Sequence, residues 1–162
     1  MINQKNTAIL IPARLAATRL PNKPLELIDN QPMIIHVWKR AIESSLGKVV
    51  VATDSVEIAK LIKDEGGISV ITEQDHQSGS DRIYEALQKI DYQNIDLIMN
   101  LQGDEPLMNI EDIKNLHTQM IKTKSELGTM ASNILDKNLY EKLVFKSGDS
   151  LDMSVFCVKR AL

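Results

Sequence analysis

A chain of 162 residues has the size of one domain and can bury a core of its own. With 43% hydrophobic residues, 25% charged residues and a formal net charge of -3, it lacks the positive field of a nucleic-acid or membrane-surface binder. The apolar runs are too short to cross a bilayer, and the N-terminus lacks a signal-peptide pattern. Since the lone Cys157 cannot form an internal disulfide, we expect a cytoplasmic protein.

Short apolar runs alternate with helical periodicity along most of the chain. Strands are predicted at Ala8–Ile11, Val49–Ala52, Ile68–Ile71 and Ile95–Leu101, with another near Leu127–Ile134. Helices are predicted over Pro32–Ser45 and after caps at Asp54 or Ser55, at Ser80 and at Asn109. This alternation predicts an α/β fold, a mostly parallel sheet with right-handed crossovers and helices on both faces.

The C-terminal part of the chain has a different character. We assign residues 1–135 to the α/β domain and residues 136–162 to a divergent or truncated segment of weak periodicity. The apolar run Val155–Val158 lies near the end, and a parallel sheet that ended there would have an uncovered edge strand. We therefore expect a sheet that is incomplete on its C-terminal side.

The loop after the first strand carries three cations. Ligands of parallel α/β sheets bind beyond the carboxyl ends of the strands, and Arg14, Arg19 and Lys23 follow this strand in a segment rich in proline. Neither common glycine-rich phosphate motif is present. Arginine forks with one lysine can still hold phosphate, and three cations suit a polyphosphate better than a carboxylate. The alternative is a solvated basic turn.

The loop "DHQSGSDR" concentrates polar side chains before the third helix. Gln77 and Ser78 could read the polar edge of a base, with Gly79 allowing close backbone approach. An ordinary loop ending in a helix cap accounts for the same residues. We interpret His76 as a solvated loop histidine.

The loop "NLQGDEP" follows the most apolar strand. Asp104 and Glu105 should lie beside the cations, and hard carboxylate oxygens suit Mg²⁺ held together with substrate phosphates. A simple turn is the alternative reading. His36 and His117 lie in helices without a second ligand at metal spacing, and we assign them no role.

The loops together carry a family resemblance. "IPARLAATRLPNKP", "ATDS", "DHQSGSDR" and "NLQGDEP" resemble, in order from about Ile9 to Pro106 and more loosely to Ile134, the motifs of the 3-deoxy-manno-octulosonate (Kdo) cytidylyltransferases. The resemblance implies a nucleotide-diphospho-sugar transferase fold and a homodimer. It also implies transfer from CTP to Kdo, giving CMP-Kdo and pyrophosphate with Mg²⁺, for lipopolysaccharide biosynthesis.

The resemblance also implies roles for particular residues. Arg14, Lys23 and Asp104 would be catalytic, and Asp104 would bind the metal. The CTP-binding residues would be Arg14, Arg19, Lys23, Gln77, Ser78, Gly79, Arg82 and Gln102. Ala17 and Asn22 depart from the family's usual serine and glycine.

The resemblance implies that family members extend further than this chain. The additional part would supply a second metal-binding aspartate and most of the sugar pocket. From about Leu143 the sequence leaves the family's pattern. With Asp104 as the one carboxylate on the metal, we expect CTP to bind but turnover to be poor or absent, because the charge of the transition state is incompletely stabilised. The remaining alternatives are another sugar-acid cytidylyltransferase, such as a CMP-sialate synthetase, a non-catalytic nucleotide-binding remnant, and an unstable fragment.

Overall fold

The computed structural model describes residues 6–15, 21–90 and 93–130 and the backbone of 155–159. The strands in these ranges are β1 (Thr7–Ala13), β2 (Leu27–Ile28), β3 (Gln31–Pro32), β4 (Lys48–Thr53), β5 (Ile68–Ile71), β6 (Leu97–Leu101), β7 (Leu127–Thr129) and β8 (Val155–Lys159). The helices are α1 (Met33–Ser44), α2 (Val56–Asp64), α3 (Gly79–Lys89) and α4 (Ile110–Thr123), with a short 3₁₀ helix at Lys23–Leu25. None of the helices in the described ranges could cross a membrane.

The main sheet has the strand order β5-β4-β1-β6-β8-β7. The first four strands are parallel, with Ala8 opposite Lys48 on one side and Ile98 on the other. Strand β8 is antiparallel to both β6 and β7. The prediction of an α/β fold with a mostly parallel sheet is confirmed, and β2 and β3 form a separate hairpin.

The position of β8 corrects one expectation. The run Val155–Val158 was expected to form an uncovered edge, but the strand that contains it, β8, pairs with β6 on one side and β7 on the other. The expectation applied to a parallel strand at the end of the sheet, whereas an antiparallel strand can enter beside β6 without a crossover helix. The boundary at residue 135 stays a prediction.

Burial on both faces explains the unbroken apolar runs. Every residue of β1 is buried, as expected where helices cover the two sides of a sheet. One core joins the sheet to α1, α2 and α4, with Ile9 and Ile11 from β1. The other joins it to α3, with Ala8 and Leu10. Alternate residues of β1 therefore support the two cores.

Most predicted helix starts are confirmed. Pro32 precedes α1, the Ser55 hydroxyl caps α2, and the Asn109 side chain accepts from the backbone N–H of Glu111 at 2.9 Å. The cap of α3 was predicted wrongly, because Ser78 and not Ser80 occupies that position. The last predicted strand is confirmed over Leu127–Thr129, which is β7, and its continuation to Ile134 lies outside the described residues.

Candidate active site

A cleft of about 480 Å³ lies at the carboxyl ends of β1 and β6. It is lined by residues of three of the loops singled out in the sequence. The predicted site residues in its wall are Arg14, Lys23, Gln77, Ser78, Gly79, Arg82, Gln102 and Asp104. Arg19, the remaining predicted residue, lies outside the described residues. The structure thus brings loops that are far apart in sequence to one edge of the sheet.

Gly103 makes the close meeting of two of these loops possible. A Cβ atom at this position would lie 2.5 Å from the carbonyl oxygen of Pro12, and this clash could be relieved only by a shift of the backbone. Only glycine lets the end of β6 run so close to the end of β1. Asp104, the next residue, consequently lies beside the cationic loop.

Lys23 and Asp104 form an ion pair across the cleft. The Nζ–Oδ2 distance is 2.7 Å, and the two side chains are 39% and 51% exposed. Asn22, just before Lys23, has the left-handed φ of 60°, a conformation that asparagine tolerates better than most residues. Its backbone N–H donates to the Leu15 carbonyl at 3.1 Å, which closes the loop. Arg14 is exposed at the same rim.

The start of α3 forms the opposite wall through a capping box. The Ser78 hydroxyl accepts from the Asp81 backbone N–H at 3.2 Å, while the Asp81 carboxylate accepts from the Ser78 N–H at 3.0 Å. That carboxylate also accepts from the Ser78 hydroxyl at 2.8 Å. The Ser78 hydroxyl therefore already donates and accepts hydrogen bonds at the start of α3. The N-terminal end of α3 lines the cleft, and its partial positive charge suits an anionic ligand.

Arg82 is a buried structural anchor of this wall. Its guanidinium donates to the Asp54 carboxylate at 3.0 Å and to the Glu73 and Gln74 carbonyls at 3.0 and 3.4 Å. It also donates to the Thr72 hydroxyl. Asp54, a candidate helix cap in the sequence, is instead the ionic partner of Arg82, whose side chain is 3% exposed. Arg82 therefore fixes the loop before α3.

Sequence reasoning missed a second cluster beside this loop. His76 lines the cleft, and its Nε2 contacts the Glu85 carboxylate, which also pairs with Lys89 at 2.5 Å. The interpretation of His76 as a solvated histidine was wrong, because its side chain is 18% exposed and paired. The helical spacing of Arg82, Glu85 and Lys89 could have placed them on one face of α3. No sequence pattern links that face to His76.

The carboxylate of Glu85 is strongly favoured in its charged form. Burial opposes ionisation, but hydrogen bonds from Lys89, His76 and the backbone N–H of Glu73, together with the Lys89 charge, lower its pKa from 4.5 to about 2. Away from the cleft, burial lowers the pKa of His117, which lies 3.1 Å from the Thr7 hydroxyl.

The described ranges contain no preformed cluster of metal-ligating side chains. No group of three histidine, cysteine, aspartate or glutamate side chains is close enough there to hold an ion. Asp104 is the acidic side chain found among the lining residues of the cleft. Since Mg²⁺ is commonly held by one or two carboxylates plus phosphate oxygens of a ligand, a single carboxylate of this kind is chemically compatible with such an ion.

Comparison with known proteins identifies the family. The model of the family described as cytidylyltransferase matches residues 8–152. The chain belongs to the cytidylyltransferase family. The match passes Leu143, where the sequence was expected to leave the family's pattern.

Curated relatives of this cytidylyltransferase carry a more specific name. A 3-deoxy-manno-octulosonate cytidylyltransferase of Methylorubrum populi is 49% identical over 127 residues, covering 78% of this chain and 51% of the relative. One of Rhodopseudomonas palustris is 48% identical over 129 residues, covering 79% and 53%. The resemblance inferred from the loop motifs is confirmed. The chain spans about half the length of the curated relatives it matches.

Solved structures agree on the fold of this family member. CMP:2-keto-3-deoxy-manno-octonic acid synthetase complexed with CTP superposes with a TM-score of 0.73 at 26% identity, covering 96% of this chain and 74% of that one. A cytidylyltransferase from Leptospira borgpetersenii gives a TM-score of 0.68 at 19% identity, covering 96% and 60%. The second likeness concerns the fold alone.

Proposed function

We propose that the chain binds CTP and forms the nucleotide-binding part of a site that transfers the cytidylyl group to Kdo, giving CMP-Kdo and pyrophosphate for lipopolysaccharide biosynthesis. One observation carries the proposal: a single cleft joins the cations Arg14 and Lys23, the carboxylate of Asp104 and the polar loop Gln77–Gly79. The names of the curated relatives supply the sugar acid.

The cationic rim suits the triphosphate. In the transfer, a sugar hydroxyl attacks the α-phosphorus and the bond to the pyrophosphate oxygen breaks, so negative charge grows on the leaving group. Arg14 can bind phosphate oxygens as a fork and Lys23 as a point charge. Both therefore stabilise the charge where it develops. Arg19 has the same role by its position in the motif.

Asp104 is the proposed ligand of Mg²⁺. When bound, the ion polarises phosphoryl oxygens as a Lewis acid. The carboxylate is paired with Lys23 at 2.7 Å, so exchanging this partner for a metal leaves the lysine available for phosphate. An exposed ion pair of this kind contributes at most about 1 kcal/mol of stability, so replacing it with a metal contact costs little free energy.

The loop before α3 and the end of β6 suit the nucleoside. Gln77 and Gln102 offer amide donors and acceptors in the cleft. Because the Ser78 hydroxyl is committed to Asp81, we assign recognition at this position to the backbone and the neighbouring amides. Arg82, which also lines the cleft, supports this loop through its bonds to the Glu73 and Gln74 carbonyls.

The expected partners are small molecules. A net charge of -3 supports the absence of nucleic-acid and membrane partners, and one free cysteine suits the cytoplasm. A homodimer remains part of the proposal by resemblance to the family.

Calorimetric titration of the purified chain with CTP, with and without Mg²⁺, tests the proposal, with GTP as the comparison nucleotide. We expect selective binding of CTP that tightens with Mg²⁺. Lys23→Met should weaken binding about 10- to 100-fold, the value of a hydrogen bond to a charged group. Lys48→Met, which removes an exposed lysine at the amino end of β4 and so away from the carboxyl ends that form the cleft, is the matched control.

Pyrophosphate release with CTP, Kdo and Mg²⁺ then separates binding from transfer. Release at a steady rate supports the full reaction. Binding without release would make the chain a nucleotide-binding protein that lacks the transfer step. A folded chain that binds neither nucleotide would overturn the proposal.

A further inference from the structure

Glu85 connects α3 to the loop that lines the cleft. It accepts from the backbone N–H of Glu73 through both carboxylate oxygens, at 2.9 and 3.2 Å, and it contacts Nε2 of His76. Lys89 pairs with the same carboxylate at 2.5 Å and donates to the Ile71 carbonyl at 3.0 Å. Glu85 is not among the lining residues. It therefore acts on the cleft only through the loop.

This contact fixes the state of the His76 ring. The donors around Glu85 keep its carboxylate ionised, and an ionised carboxylate can only accept hydrogen bonds. Nε2 of His76 must therefore carry the hydrogen. In the neutral ring the other nitrogen, Nδ1, is then an acceptor. Within the described part of the chain, this ring has no hydrogen-bond partner besides Glu85.

We propose that Glu85 is a positioning residue that holds His76 with Nδ1 as an acceptor for the exocyclic amine of the cytosine base. The inference rests on the proposed function and deepens it, because it names a residue that distinguishes CTP from other pyrimidine nucleotides. Cytosine presents an amine where uracil presents a carbonyl oxygen. An acceptor satisfies the first and opposes the second.

The arrangement around the ring supports a fixed acceptor. Arg82 donates to the Glu73 and Gln74 carbonyls on the other side of the loop, so the backbone leading to His76 is held at both its N–H and its carbonyl groups. Both His76 and Glu85 side chains are 18% exposed. A hydrogen bond in such a shielded place discriminates more strongly than one in water.

The ring state is measured first, on the unmodified chain without ligand. Long-range ¹H–¹⁵N NMR at the pH of the nucleotide titrations reports which of the two ring nitrogens carry a hydrogen. Comparison with His76→Phe identifies the resonance among the three histidines. We expect hydrogen on Nε2. Hydrogen on Nδ1 would overturn the proposal.

Discrimination is measured by titrating CTP and UTP into the chain and its variants. We expect His76→Phe to reduce the preference for CTP over UTP about 10-fold, the value of one hydrogen bond and its mismatch. Glu85→Gln should reduce it several-fold, because the amide no longer fixes which nitrogen of the ring is protonated. Glu57→Gln, which makes the same change on the exposed face of α2, should leave the preference intact.

The outcomes separate this inference from the proposed function. If the folded chain binds neither nucleotide, both fail. If it prefers CTP and His76→Phe keeps that preference, only the inference fails. Circular dichroism checks the fold of each variant, and should Glu85→Gln unfold, the NMR result and His76→Phe decide.

Discussion

The two walls of the cleft are held in opposite ways. On the α3 side, Arg82 and Asp54 are 3% and 9% exposed and joined at 3.0 Å. On the cationic side, Lys23 and Asp104 make a similarly short contact but are 39% and 51% exposed. Breaking a buried pair leaves an uncompensated charge, whereas an exposed pair is replaced by water. The α3 wall is thus fixed before a ligand arrives, and the cationic wall can rearrange around it.

The largest effect should come from the buried pair. Arg82→Met leaves the Asp54 charge without its partner and frees the Glu73 and Gln74 carbonyls, so we expect a loss of about 3–5 kcal/mol in the free energy of unfolding. Urea denaturation followed by circular dichroism measures it. Arg40→Met is the matched control, since Arg40 makes a 3.9 Å exposed contact with Glu43. Equal losses of unfolding free energy in both variants would show that the buried pair stabilises the fold no more than an exposed pair does.

A smaller loss of stability should appear at low pH, where Glu85 becomes protonated. Its pKa falls from 4.5 to about 2 in the folded chain, so its contribution is fully present above 4.5 and disappears as pH falls from 4.5 to about 2. Other carboxylates also titrate in this window, so the test is the difference between the chain and Glu85→Gln. We expect that difference to shrink by about 1–3 kcal/mol across the window. A constant difference in urea titrations would contradict a lowered pKa.

The smallest effect on stability should come from the exposed wall. Lys23→Met should change the free energy of unfolding by less than about 1 kcal/mol, as exposed ion pairs usually do. The affinity of this variant for CTP should nevertheless fall about 10- to 100-fold. Thermal or urea denaturation beside calorimetry separates the two quantities. A stability loss as large as that of Arg82→Met would show that this wall, too, is structurally fixed.

Local patterns in the sequence predicted much of the framework. The β-branched run Val49–Ala52 predicts burial on both faces because it does not alternate with polar residues, and these residues of β4 are all buried. Asn109 and Ser55 predict helix starts because their side chains satisfy backbone N–H groups within three residues. The order of the loops at the carboxyl ends of parallel strands brought together the eight described site residues.

Other features depend on groups that are distant in sequence. Ser78 and Ser80 are both plausible caps locally, and Ser78 fills that role where the start of α3 packs closely on Pro12, more than sixty residues earlier. Strand β8 depends on pairing with β6, more than fifty residues earlier.

The chain's own residues therefore determined its fold class, its family and the cationic rim. Only the tertiary structure decided that Asp54 forms an ion pair with Arg82 and that the Glu85 carboxylate contacts His76. The physical reason is that a buried charge takes whichever partner packing brings within hydrogen-bond distance, and sequence spacing does not encode that proximity.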